Sequence, residues 1–353
     1  MSEPEVLAEK RGSAGFLILN RPKALNALNL GMVRAIAAAL DDWERDPAVM
    51  RVVVTGAGGR AFCAGGDIRL LYEQGRAGDH AAQLTFWREE YLLNRRIKRY
   101  SKPYIALVDG IVMGGGVGVS AHGAHLVAGE GFTFAMPEVG IGFFPDVGAT
   151  YLLPRLAHRA GVYLAMTGAR AHADDALALG LAQTRVPSAR MESLVAALAE
   201  RAPLEAILAT FALPAPRSAL AAACALIEDC FAHTTPARII AALGQAAAAG
   251  SDFAGKAQAA MLAKSPTSQA IALRQMEAGR SLSFEEAMVL EFRIVSRICR
   301  GHDFYEGVRA LIVDKDNRPQ WRPGAAEEVL SADIDAYFAP LGTSDLSFEA
   351  ARS

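Results

Sequence analysis

Residues 104–123 read YIALVDGIVMGGGVGVSAHG, and the order of residue types in that stretch decides the fold. Tyr104–Val108 reads as a strand. Gly114-Gly115-Gly116 reads as a turn, and Val117–Gly123 as the start of a buried helix. Glycines at a helix start leave N–H groups unpaired and backed by the helix dipole, which suits an anion or a developing oxyanion. The glycines fall at 114, 115, 116 and 118, so the spacing is not that of a dinucleotide fingerprint. There is also no phosphate-loop lysine and no G-x-S-x-G elbow around Ser120. Close helix packing, which also demands small residues, is the competing reading of the same run.

Working outward, 14–19 (AGFLIL) and 51–55 (RVVVT) are short β-rich runs, and between them 29–45 places Met32, Val33, Ile36, Leu40 and Trp43 at helical spacing. A Gly-rich loop at 56–66 precedes a second helical stretch around 79–98. On the other side, 125–129 and 132–135 read as strands ahead of a loop at 137–148 punctuated by Pro and Gly. The alternation predicts an α/β core up to about residue 190. Beyond it the chain turns to Ala-rich amphipathic stretches with Pro-containing connectors near 203 and 213–216. Ser283 with Glu286 three positions on is a capping-box signature, after which Met288, Phe292, Val295 and Cys299 line one face. The expected partition is an α/β core over 1–190 and a helical C-terminal region over 191–353.

Composition narrows the classes. With 52% hydrophobic and 21% charged residues the chain is globular rather than disordered. A formal net charge of −2 supplies no basic excess for a nucleic-acid backbone. No apolar run approaches a membrane span, so no membrane partner is expected. The N-terminal MSEPEVLAEKRG lacks signal features, and Cys63, Cys224, Cys230 and Cys299 lack disulfide or metal spacing, from which a cytoplasmic location is expected. His122 and His125 are close but have no acidic partner, so no metal site is expected. Arg95-Arg96-Ile97-Lys98-Arg99 reads as a solvated helix face, with phosphate contact as the alternative.

Two further stretches carry chemistry. In 61–68 (AFCAGGDI) small residues let the backbone approach a ligand with free N–H groups, against the plain reading of a strand-to-helix loop. In 136–148 (MPEVGIGFFPDVG) Glu138 and Asp146 sit among apolar and turn-forming residues. An acid so placed is desolvated, which raises its pKa toward the range of a working general base or acid. The plain alternative is that Glu138 caps a turn and Asp146 starts the next helix.

Together with Asn20–Leu28 (NRPKALNAL), these segments resemble the crotonase (enoyl-CoA hydratase/isomerase) superfamily, and the resemblance runs over nearly the whole chain. It implies a core of repeated ββα units wound into a spiral. It implies oxyanion donors at the N–H groups of Gly66 and Gly115, and coenzyme A held around Ala24, Ala64, Asp67 and Ile68 with Lys23 and Lys315 near the phosphates. No cofactor is implied beyond the coenzyme A of the substrate. The partner implied is a small acyl-CoA, with a homo-oligomer (trimer) or a monomer both open.

Where a hydratase of that family carries its first glutamate, this chain has Gly118, while the second is present as Glu138. Tyr151–Leu156 (YLLPRL), Phe86–Asn94 (FWREEYLLN) and His302–Ala310 (HDFYEGVRA) are similar to the branch that hydrolyses 3-hydroxyisobutyryl-CoA in valine catabolism. That likeness implies Glu138 as general base or nucleophile, Asp146 as the group that positions the acyl hydroxyl or water or helps protonate the departing thiolate, and Glu90 as a substrate contact. A hydratase or isomerase working with one glutamate, and a non-catalytic acyl-CoA-binding subunit, are the alternatives.

Overall fold

The computed structural model describes residues 3–214 and 217–348. The chain is α/β. Its strands are β1 (Val6–Arg11), β2 (Ala14–Leu19), β3 (Arg51–Gly56), β4 (Ala61–Cys63), β5 (Tyr104–Val108), β6 (Ile111–Met113), β7 (His125–Ala128), β8 (Thr133–Ala135), β9 (Ala171–His172) and β10 (Thr184–Arg185). One sheet runs β1-β2-β3-β5-β7-β10 and the other β4-β6-β8-β9. Three times the chain lays a strand in the larger sheet and the next strand in the smaller: β3 then β4, β5 then β6, β7 then β8. Successive copies pair in parallel, Val53 opposite Ile105 and Leu107 opposite Val127 in one sheet, Val112 opposite Phe134 in the other. This stepping is the repeated ββα spiral.

The chain forms two compact units, each assembled from distant segments: Met1–Asp67, Leu92–Ala135 and Arg170–Ala221 in the first, Ile68–Tyr91, Met136–Ala169 and Ala222–Ser353 in the second. This cuts across the expected partition at residue 190. Composition follows secondary structure, whereas these units are defined by which segments pack together.

In the first unit, β2, β3 and β5 are buried on nearly every residue, as parallel strands covered on both faces must be. Phe16, Val53, Ile105, Leu107 and Val127 form a core with Leu194, Leu198, Ile207, Leu208 and Phe211 from the helices Met191–Leu198 and Leu204–Phe211. Helix α1 (Leu30–Arg45) starts at Asn29, whose side chain accepts from Met32 N–H at 2.9 Å. Helix α2 (Ile68–Arg76) and the start of α3 (His80–Lys98) belong to the second unit, and α3 enters the first at Leu92. The predicted helix from Val117 is only the four-residue α4 (Gly115–Gly118), after which the chain turns. Glycine-rich sequence propagates a helix poorly, and the Ser120 hydroxyl donates to the Gly116 carbonyl at 2.7 Å, competing for the backbone.

In the second unit the C-terminal segments are helical among the described residues. Ala215 and Pro216 of the predicted connector, which falls in the first unit, lie outside the described residues. The capping box closes as predicted: Ser283 N–H donates to Glu286 at 2.8 Å and Glu286 N–H to Ser283 Oγ at 3.3 Å. Gly142 at φ 68° and Gly307 let backbones meet, since a Cβ on Gly142 would lie 2.0 Å from the Asp303 carbonyl and one on Gly307 2.4 Å from Ile141. Trp87 stacks on Phe143 at 5.5 Å, and Phe143 packs on Phe304 at 5.6 Å.

Candidate active site

The first unit carries the backbone donors. Because β4 and β6 are parallel neighbours, the loops that follow them emerge at the same end of one sheet. Gly66 stands in the first loop and Gly115 in the second. Leu28 forms a parallel bridge with Gly66: Leu28 N–H donates to the Gly65 carbonyl at 2.8 Å, and Asp67 N–H to the Leu28 carbonyl at 2.7 Å. Such a bridge uses the groups of the two flanking residues, so the N–H of Gly66 itself points to the other side. Gly115 opens α4, where the first N–H groups have no partner within the helix. Each donor follows a glycine at positive φ, Gly65 at 120° and Gly114 at 45°. Gly116 answers the packing alternative: a Cβ there would stand 2.3 Å from the Cys63 carbonyl, so α4 lies directly on β4.

The residues around this turn are more occupied than the sequence implied. Ala64 N–H donates to Leu25 at 3.0 Å and Ala24 N–H to Arg21 at 2.9 Å, so with the Asp67 bond above these three amides are engaged within the chain. The Asp67 carboxylate pairs with Arg21 at 3.1 Å, and Ile68 begins α2. Lys23 is exposed in a short 3-10 turn (Pro22–Ala24). Lys315, in the second unit, is exposed at φ 58° between Asp314 and Asp316, whose carboxylates both accept from Arg309. Of the Arg95–Arg99 run, Arg96 is held by Asp41 and Glu44. His125 is bonded to the Thr184 hydroxyl at 2.7 Å and burial lowers its pKa. Both are structural placements.

The second unit gathers the acids. Glu138, at 7% exposure, begins a 3-10 turn (Glu138–Ile141) directly after Pro137; Asp146 is 5% exposed, Glu90 on α3 2% and Glu291 on the helix Phe284–Ile298 0%. None of the four has an ion-pair partner among the described residues. Burial and mutual repulsion are therefore opposed only by hydrogen bonds. Burial, then the Asp146 charge, pushes Glu138 well above the carboxylate range. Burial, then Asp146 and Glu291, does the same to Glu90. Asp146 rises to about 7 through burial, against a lowering by the Tyr91 hydroxyl, which donates to it at 2.8 Å. Glu291 rises to about 8, again chiefly through burial. One oxygen each of Glu138 and Glu90 is buried without a hydrogen-bond partner. An unpaired buried oxygen costs about 1–3 kcal/mol, so these atoms are poised for a donor from a bound molecule. Lys264 also lies against the Glu138 turn: a Cβ on Gly140 would come within 3.0 Å of its Nζ.

Asp146 is aimed by an unusual turn. Val147 and Gly148 follow it at φ 54° and 88°. Glycine adopts that course freely, but for a β-branched valine it costs on the order of 1–3 kcal/mol. Two helices hold the turn. Glu291 accepts from Gly148 N–H at 2.8 Å and Thr150 N–H at 2.9 Å. Gln275, on the helix Pro266–Gly279, donates to the Pro145 carbonyl and to the Thr150 hydroxyl. Tyr91 and Glu291 escaped the sequence reading. The signal for Glu291 was available, since it falls three residues after Met288 and one before Phe292, inside the apolar stripe of its helix. A cavity of about 780 Å³ elsewhere in this unit, bounded by Arg159, Thr235, Arg274 and Ile334, contains none of these acids. Among the described residues no group of three or more His, Cys, Asp and Glu is arranged to hold a metal ion.

A spiral of ββα repeats with glycine-borne donors at one sheet end and a buried glutamate after the third repeat defines a class. The chain belongs to the enoyl-CoA hydratase/isomerase family, whose model matches residues 14–338. It is 45% identical over 353 residues to the mitochondrial 3-hydroxyisobutyryl-CoA hydrolase of Xenopus tropicalis, covering 98% of this chain and 91% of that protein. The human mitochondrial 3-hydroxyisobutyryl-CoA hydrolase is 43% identical with the same coverage. A solved carnitinyl-CoA dehydratase from Mycobacterium thermoresistibile superposes with a TM-score of 0.93 at 42% identity, over 98% of this chain and 99% of that one. An enoyl-CoA hydratase from Rhodobacter sphaeroides 2.4.1 gives 0.92 at 42%, over 98% and 100%.

These relatives overturn the expected cytoplasmic location, because the curated proteins are named mitochondrial. Four scattered, buried cysteines carry no address. No helix among the described residues is long and apolar enough to cross a membrane.

Proposed function

We propose that the chain is an acyl-CoA thioester hydrolase acting on 3-hydroxyisobutyryl-CoA. The observation that carries this is near full-length similarity to 3-hydroxyisobutyryl-CoA hydrolases, in a chain with glycine at 118 and a buried Glu138 and Asp146. Family hydratases work with two glutamates; here the first position has no side chain, so acid–base chemistry falls to Glu138.

The thioester carbonyl accepts from the N–H groups of Gly66 and Gly115, which stabilise the oxyanion of the tetrahedral intermediate. Glu138 either takes a proton from water as it attacks the carbonyl carbon, or attacks itself to give an anhydride that water then opens. Collapse breaks the C–S bond, the thiolate leaves as coenzyme A once protonated, and the acyl group departs as the free acid. Asp146, fixed by Tyr91, orients the acyl hydroxyl or the water, and Glu90 contacts the same hydroxyl. Lys23 and Lys315 meet coenzyme A phosphates. No cofactor beyond the coenzyme A of the substrate is required.

Thiol-release kinetics over a small acyl-CoA panel test this. Free thiol from 3-hydroxyisobutyryl-CoA with crotonyl-CoA untouched is expected. Loss of enoyl absorbance without thiol release would favour the hydratase reading and sink the proposal.

A further inference from the structure

Glu291 is a fully buried acid that the mechanism above does not use. Both its oxygens accept backbone N–H bonds, from Gly148 at 2.8 Å and Thr150 at 2.9 Å, and its residue has no exposed surface. It therefore has neither a free atom nor an open face for a substrate. A side chain whose sole contribution were packing would be apolar there; an apolar residue would leave two buried N–H groups unsatisfied. The two bonds bracket Ala149, immediately after the Val147–Gly148 pair at φ 54° and 88° that turns the chain away from Asp146. Valine is poorly suited to that conformation, so the turn persists because its surroundings over-determine it. Gln275, bonded to Pro145 on the other side of Asp146, grips the same turn.

We propose that Glu291 is a positioning residue: it clamps the 145–150 turn in its left-handed course and so keeps the Asp146 carboxylate on the Tyr91 hydroxyl and aimed into the site. The inference rests on the proposed function for the role of Asp146, but the clamp itself is a property of this chain. A glutamine at 291 has one acceptor oxygen for two N–H donors, so the clamp loses one bond while shape and volume are kept.

The test is a double-mutant cycle between Glu291 and Val147. Thiol-release kcat and KM and thermal midpoints are measured for the wild type, E291Q, V147G and E291Q/V147G. E291Q is expected to lower kcat by about thirtyfold with KM within about twofold, the order of a misplaced catalytic group. Glycine carries no penalty for positive φ, so in the V147G background the same E291Q change is expected to cost less than about fivefold. Equal losses in both backgrounds, or a lower thermal midpoint with kcat per folded molecule unchanged, overturn the proposal. Should E291Q not fold, E291D keeps the charge but is one methylene too short to reach both donors, and it is read in the same two backgrounds. Crystal structures of E291Q and the double variant separate failure of this inference from failure of the functional reading. Asp146 is expected to leave Tyr91 in the first and return to it in the second; a turn unmoved in E291Q overturns the clamp whatever the activity.

Discussion

The two units supply different kinds of chemistry. In the first, the candidate groups are main-chain N–H donors at Gly66 and Gly115, placed by the parallel register of β4 and β6 and by glycines at positive φ before them. In the second, they are side chains whose character comes from burial: Glu138, Asp146 and Glu90 are acids held out of water with no ion-pair partner among the described residues. Backbone donors keep one electrostatic character whatever the pH, and only displacement silences them. Buried carboxyls change character with a proton, so conservative substitution and pH both reach them.

The largest effect should come from the second unit. Glu138→Gln is expected to lower thiol-release kcat by about a thousandfold or more, the scale of losing a group that forms or breaks bonds, while coenzyme A binding measured by calorimetry stays within about threefold. Unchanged turnover would remove Glu138 from the chemistry. The first unit is reached sterically. Gly116→Ala brings a Cβ to 2.3 Å from the Cys63 carbonyl, so α4 must move off β4 and carry the Gly115 N–H with it. Loss of one oxyanion donor costs about a hundred- to thousandfold in kcat, and a drop of that order is expected per folded molecule. A folded variant with full kcat would detach the glycine turn from the reaction.

Titration separates the units further. Asp146 rises to about 7 and its charge raises Glu138, and a base works only when ionised. The wild-type kcat/KM should therefore climb with pH through a value near 7 that belongs to the coupled cluster. Removing the Asp146 charge in D146N lets Glu138 ionise more readily, so the rise should move to lower pH; a shift upward would contradict the coupling.

Stability runs the other way. A carboxyl whose pKa is raised by folding stabilises the fold while it is protonated. That contribution is full below the unfolded pKa and lost as pH rises through the folded one. With Asp146 raised from 3.8 to about 7 and Glu291 from 4.5 to about 8, their contribution to the thermal midpoint should decline from about pH 4 to about pH 8 and level off above it, and E291Q should flatten that decline. The smallest expected effect is at the surface: Lys23→Ala, removing one exposed cation, should raise KM by about twofold to tenfold with kcat unchanged, in line with the modest worth of exposed charges.

The same contrast explains what the sequence revealed. β2, β3 and β5 were legible because strands buried on both faces are continuously apolar. β1 was not, since it is an exposed, charged edge strand whose pairing with β2 comes from the hairpin rather than from alternation. β4 and β6 are three residues each, too short for any period. The glycine turn was legible as a turn, but α4 proved shorter than the apolar run after it suggested. Glu138 and Asp146 stood out as acids in apolar company, whereas Glu90 entered only through the resemblance. Glu291 was hidden in an amphipathic stripe read for its Met288 and Phe292. The coenzyme A contacts rest on the resemblance alone, and the amides of Ala24, Ala64 and Asp67 bond within the chain.

The central claim is that water is added to the thioester carbon and not to a carbon–carbon double bond. Turnover in ¹⁸O-labelled water followed by mass spectrometry of the products reads this directly. The account predicts label in the carboxylate of the free hydroxy acid, released together with unlabelled coenzyme A. Label in a hydroxyl of an intact acyl-CoA, with no free thiol, would contradict it.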